Sequence, residues 1–194
     1  MADQKISAMP SASTLTGAEL VPLVQSGANV KATLSTLTTW DRAYGAWSDS
    51  TDQTGNISAG TVITMNTTDV TDSITLVDNS KMTVPSNGIY DLQFSIQFKN
   101  TDNAQHEATV WVRVDGSDLG NSATQITVPA RKSAGIFGYA VMTVPIMLDL
   151  NANQYVQIVW LPSSTLVTIE SLPASISPAY PAVPSIITLM NKVA

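Results

Sequence analysis

The chain has 194 residues, 44% of them hydrophobic, enough for one full core with room for an appendage. Only 12% of residues are charged against the roughly 25% of an ordinary domain, and with a net charge of −6 and no lysine–arginine cluster beyond Arg131–Lys132, nucleic-acid binding is not expected. There is no cysteine, which removes disulfides and thiolate chemistry, and no apolar run approaches the roughly 18 residues of a membrane span.

The N-terminal stretch Met-Ala-Asp-Gln-Lys-Ile-Ser-Ala lacks the apolar core of a signal peptide, so the expectation is a soluble chain made in a cytosol. Residues 1–43 form an arm and linker. Thr16-Gly-Ala-Glu19 has the spacing of a capping box, which predicts one helical turn stopped by Pro22. Leu20 to Gln25 and Val30 to Thr33 predict two short strands around a turn, too small to fold alone and therefore expected to dock on something. Leu37, Trp40, Tyr44 and Trp47 have a coiled-coil spacing over barely two heptads; the competing reading is a linker entering a first strand, Tyr44 to Trp47.

Residues 44–194 read as short strands separated by turn residues, which predicts an all-β, antiparallel sandwich of about 8–10 strands. Gly60 to Met65, Ser73 to Val77 and Lys81 to Val84 are expected strands. From Gly88 onward Tyr90, Leu92, Phe94, Ile96 and Phe98 alternate with Asp91, Gln93, Ser95, Gln97 and Lys99, so one face is apolar and one polar. The next strand sets Ala108, Val110, Val112 and Val114 against Glu107, Thr109, Trp111 and Arg113, and ends in the turn pair Asp115-Gly116. Trp111 is an aromatic on the polar side, with Arg113 beside it. An interface between subunits is preferred there over an open aromatic and cationic patch.

Further along, Gln125 to Val128, Gly135 to Leu148, Gln154 to Leu161, Leu166 to Ile169 and Ser185 to Asn191 are expected strands. Pro173 to Pro184, with four prolines, predicts an extended connection without a ladder. Two runs are apolar on both parities, one around Tyr139 and Val141, the other from Tyr155 to Trp160. A strand covered on both faces in a chain without helices predicts a second subunit.

In order, Tyr44-Gly-Ala-Trp47, Met65-Asn-Thr-Thr-Asp69, Gly88-Ile-Tyr90, Trp111-Val-Arg-Val-Asp-Gly116, Leu150-Asn-Ala-Asn153, Val159-Trp160 and Pro184-Ser-Ile-Ile187 resemble the small jelly-roll domain of tailed-bacteriophage virion proteins. Those domains are similar to the complement globular head and tumour-necrosis-factor family. The resemblance implies a jelly roll that associates as a homotrimer, with Trp111, Arg113, Tyr139, Val141, Tyr155 and Trp160 as interface candidates. The N-terminal Lys5-Ile-Ser-Ala-Met-Pro10 and Leu15-Thr-Gly-Ala-Glu-Leu-Val-Pro-Leu-Val-Gln25 are similar to the attachment segment of phage fibres and spikes. That implies docking on capsid, tail or baseplate proteins through Ile6, Leu15, Leu20, Val21, Leu23 and Val24, and location in the virion. A long shaft is missing, which favours a stubby spike or a decoration trimer. A host surface glycan or protein is a further partner under this reading.

Chemistry offers little. The single histidine, His106, lies in a polar loop beside Asp102 with no nucleophile spacing around it, and is read as a solvated loop residue. Asp69, Asp72 and Asp78, and the pair Asp115 and Asp118, lack the ligand spacing of a calcium loop. The sequons at Asn56 and Asn66 are read as accidental. No cofactor, metal or catalytic residue is expected. The rival reading is a polysaccharide depolymerase with two carboxylates meeting between subunits.

Overall fold

The computed structural model describes residues 14–34 and 42–194. The chain divides into two compact units, Met1–Asp41 and Arg42–Ala194.

In the first unit, β1 (Leu20–Gln25) and β2 (Ala28–Thr33) pair antiparallel from Leu20↔Thr33 to Gln25↔Ala28. Their turn is Ser26-Gly27, both at positive φ (51° and 79°), so β2 begins two residues earlier than the four-residue turn anticipated. The capping-box spacing does not start a helix. Glu19 instead folds back on the preceding turn, accepting from the Thr16 and Gly17 N–H groups at 2.8 Å each, and the strand begins at the next residue.

The second unit is an antiparallel β-sandwich of jelly-roll type. In chain order its strands are β3 (Tyr44–Asp49), β4 (Gln53–Thr54), β5 (Thr61–Val62), β6 (Thr67–Asp72), β7 (Thr75–Val77), β8 (Lys81–Thr83), β9 (Gly88–Asn100) and β10 (His106–Val114). They continue with β11 (Ser117–Asp118), β12 (Thr124–Val128), β13 (Gly138–Leu150), β14 (Tyr155–Pro162), β15 (Val167–Ile169), β16 (Ser175–Ile176), β17 (Ala179–Tyr180) and β18 (Ile186–Lys192). Tyr44 and Trp47, of the proposed helical seam, are both in β3, the first exposed and the second fully buried. Leu37 and Trp40 lie outside the described residues.

The first sheet runs β13-β9-β18-β3-β6, with β15 and β4 continuing beside the far end of β9. The second runs β10-β14-β8-β7, with β11 and β12 on the free side of β10 and β5 beside β14. Asp115 and Gly116, at φ 48° and 80°, make the tight turn from β10 to β11 that their sequence predicts. The inward residues of β9 meet Met142, Val144 and Leu148 of β13 and Ile186 and Met190 of β18. Opposite them Val110, Val112, Val156, Ile158 and Trp160 complete one continuous core. Burial of this apolar area holds the sheets together.

Two segments depart from expectation. Thr67-Thr-Asp-Val-Thr-Asp72 forms edge strand β6, exposed at every position, so no apolar alternation announces it. Pro173 to Pro184 is not a bare connection: Leu172 and Val183 exchange hydrogen bonds of 2.9 and 2.8 Å, and β16 and β17 pair beyond them around the cis peptide Ser177–Pro178. This hairpin keeps its prolines out of the three paired rungs, Leu172↔Val183, Ser175↔Tyr180 and Ile176↔Ala179, which is how a proline-rich stretch still makes a ladder. At the opposite edge of the first sheet, β13 pairs with β9 alone among the described residues and carries Pro145 opposite Gln93.

Candidate functional site

Each interface candidate has a definite address in the sandwich. Trp160 is the simplest. It pairs with Val110 across β14 and β10, points inward, is fully buried and packs at 5.9 Å between ring centroids on Phe98 of the other sheet. It is a core residue and not part of an outer face, which corrects its place among the interface candidates.

Trp111, Arg113 and Tyr155 lie on the outer face of the second sheet. Trp111 sits opposite Val159, and the segment before β5 crosses both: a Cβ on Gly60 would lie 2.5 Å from Trp111 Cζ2 and 2.8 Å from Val159 Cγ1. Only glycine permits that approach, and it leaves Val159 with no exposed surface. The Trp111 Nε1–H donates to Asp118 Oδ1 at 2.7 Å, and the Arg113 Nε–H donates to the same oxygen at 2.9 Å. These two donors, Trp111 foremost, hold the Asp118 carboxyl below its ordinary pKa. Tyr155 lies under the Lys81 ammonium, 5.4 Å from its ring centroid. Thus the second apolar parity of β14 is covered by this chain's own loop and side chains. A partner subunit is not needed to explain Trp111.

Tyr139 and Val141 face the opposite way, on the outer face of the first sheet, where they are 50% and 59% exposed. The register places neighbours beside them: Met147 and Pro145 further along β13, Gln93 and Ser95 on β9, Ile187 and Leu189 on β18, Ala46 on β3 and Val70 on β6. Met147 is 59%, Ile187 50% and Val70 51% exposed, and a hollow of about 180 Å³ opens among Gln93, Ser95, Thr143, Ile187 and Leu189. The exposed apolar side chains of β13 and of β18 flank the outward polar row of β9, Asp91 to Lys99, and exposed apolar side chains gathered on one face are what an interaction surface presents. Interface candidates therefore fall on both outer faces and in the core.

Ile187, Leu189 and Met147 were not singled out in the sequence, although Ile186 to Met190 also carries apolar residues on both parities. At the rim of the same face Lys99 Nζ meets Glu170 Oε1 at 2.5 Å and lies 4.4 Å from the Phe137 ring centroid. The hydrogen bond to Glu170 raises the Lys99 pKa. The other Glu170 oxygen is buried without a hydrogen-bond partner among the described residues.

In the hairpin unit, register puts Val21, Leu23, Val30 and Ala32 on one face and Leu20, Pro22 and Val24, with Thr33, Lys31 and Asn29, on the other. Leu15, Leu20 and Val24 are more than half exposed. Of the attachment candidates, Ile6 lies outside the described residues. Gln25 and Ala28 complete the first face, which is apolar apart from that glutamine.

The remaining polar candidates have protein partners. His106 Nε2 and Asp102 Oδ2 are 2.7 Å apart, and this contact, followed by the Asn103 N–H, lowers the Asp102 pKa. Asp115 accepts from Gln154 Nε2 and the Tyr155 N–H, Asp78 pairs with Lys81, Asp72 accepts from Ser73 and Asp69 from Ser48. Among the described residues no three histidine or carboxylate side chains gather as metal ligands. Neither a protein-family model nor a curated protein sequence matches this chain.

Proposed function

We propose that this chain is a structural protein of a tailed-bacteriophage virion, a homotrimeric spike or decoration protein that docks by its N-terminal unit and displays the jelly roll. The observation that carries the reading is the outer face of the first sheet, where Val141, Met147, Ile187, Leu189 and Val70 share one surface with no covering element of their own unit among the described residues. Such a face asks for a partner, and closed symmetry supplies one from copies of the same chain. A separate hairpin with one largely apolar face supports a second attachment, to a different protein of the particle. Within this reading the jelly roll either contacts the host at the tail or decorates the capsid.

Mass measurement in solution is the direct test. A trimer at micromolar concentration is expected, and a monomer there overturns the reading. Removal of residues 1–35 should leave the trimer and abolish incorporation into particles; unchanged incorporation would refute the docking role of the hairpin. Copy number separates the two locations, since hundreds per particle mean capsid decoration and a few tens at most mean the tail.

A further inference from the structure

We infer that the hairpin from Ser171 to Pro184 is a self-association finger that seats on the outer face of the first sheet of a neighbouring copy. The inference rests on the trimer reading and adds to it which surfaces meet.

Ile176, at the tip, is 97% exposed and fills nothing in its own chain. Tyr180, paired with Ser175 one rung below, is 45% exposed. From Ser171 to Asn191 the chain has no charged side chain, in a protein of net charge −6. An isoleucine this exposed on a proline-stiffened, uncharged projection is built for an apolar recess, because ordering has largely been completed before contact.

Both feet of the finger stand on one residue of the face itself. The Glu170 N–H donates to Gln97 O at 2.9 Å, Gln97 Nε2 donates to Pro184 O at 2.9 Å, and the Gln97 N–H donates to Ser185 O at 3.0 Å. The chain then runs directly into β18, whose Ile187 and Leu189 line the hollow on that face. Finger and face are thus joined through Gln97. The hollow, about 180 Å³, is lined by Gln93, Phe94, Ser95, Thr143, Ile187 and Leu189, again without a charge.

Copies of equal net charge repel, so contact between them is least costly where both surfaces are neutral. The finger and the hollow are two such surfaces at different places on one chain. Finger-into-hollow contact is therefore head to tail, and it closes into a ring when each step turns by a third of a circle.

Because the chain has no cysteine, any disulfide formed after substitution joins only introduced thiols. Full-length Ile176→Cys and Leu189→Cys chains carrying different tags would be co-expressed and oxidised, and the trimers run on a non-reducing gel. A disulfide between the two differently tagged chains is expected. Separately, Ile176→Asp should raise the concentration at which trimers dissociate by about tenfold or more, as loss of a central anchor does, with the melting of the diluted chain unchanged. Trimers that show neither effect, or disulfides only between two Ile176→Cys chains, overturn the finger contact while leaving the trimer in place. A wild-type monomer removes both.

Discussion

The two outer faces of the sandwich begin from similar sequence and end differently. On the second sheet, Val159 and Trp111 are apolar residues on the side away from the core, and the chain covers them itself by laying the Gly60 segment across them and fixing the indole N–H on Asp118. On the first sheet, Val141, Met147 and Ile187 hold the equivalent side and remain at least half exposed. An apolar residue outside the core is therefore not in itself a sign of a partner. The sign is an apolar residue that the rest of its own fold has left uncovered.

The sharpest way to break this comparison is through the residue that belongs to neither face. Trp160→Ala should cost about 3–5 kcal/mol of stability, as loss of a buried aromatic does; chemical denaturation of the diluted chain measures it, and a near-neutral result would return Trp160 to an outer surface. Next in size is Gly60→Val. Its side chain displaces the loop from Trp111 and Val159 and should cost about 1–3 kcal/mol by overpacking, with Trp111 emission shifting red as water reaches it. Trp111→Phe keeps the ring and loses the bond to Asp118, for an expected cost of about 1 kcal/mol.

On the open face the expectation reverses. Leu189→Ser should change the stability of the diluted chain by less than about 0.5 kcal/mol and yet convert trimer to monomer in sedimentation. If it unfolds the chain instead, that face is not the free surface described here.

The smallest effect belongs to the hairpin unit. Hydrogen bonds from the Thr16 and Gly17 backbone, foremost Thr16, hold the Glu19 pKa at about 2 against an ordinary 4.5. A depressed carboxylate pKa contributes stability that is complete above the unfolded value and lost as pH falls through the folded one. The Thr16–Glu19 turn should accordingly loosen between about pH 4.5 and 2. Carboxyl chemical shifts of Glu19 across that range would test it; an ordinary midpoint near 4.5 would show that the turn does not form.

Much of the sandwich was legible because β9 and β10 alternate cleanly, and a period of two is enough to say which parity faces inward. The same rule fails where both parities are apolar. Nothing in Tyr155 to Trp160 alone says that Trp160 points in and Val159 out; the pairing Trp160↔Val110 decides it, and that register depends on residues fifty positions away. β6 was invisible for the opposite reason, since an edge strand exposed along its whole length has no apolar parity to display. The hairpin at Pro173 to Pro184 hid behind its prolines, whose missing donors are costly only where a rung needs them. What made Trp111 look like an interface residue was a real anomaly, and a glycine fifty residues upstream resolved it.

Pro145 carries a last consequence. It sits in the middle of the thirteen-residue strand β13, whose outer edge has no ladder partner among the described residues, and its ring nitrogen must face that edge because the other side is bonded to β9. The border therefore lacks, at its middle, a donor that an added strand would need, and extension of the sheet strand upon strand is disfavoured there.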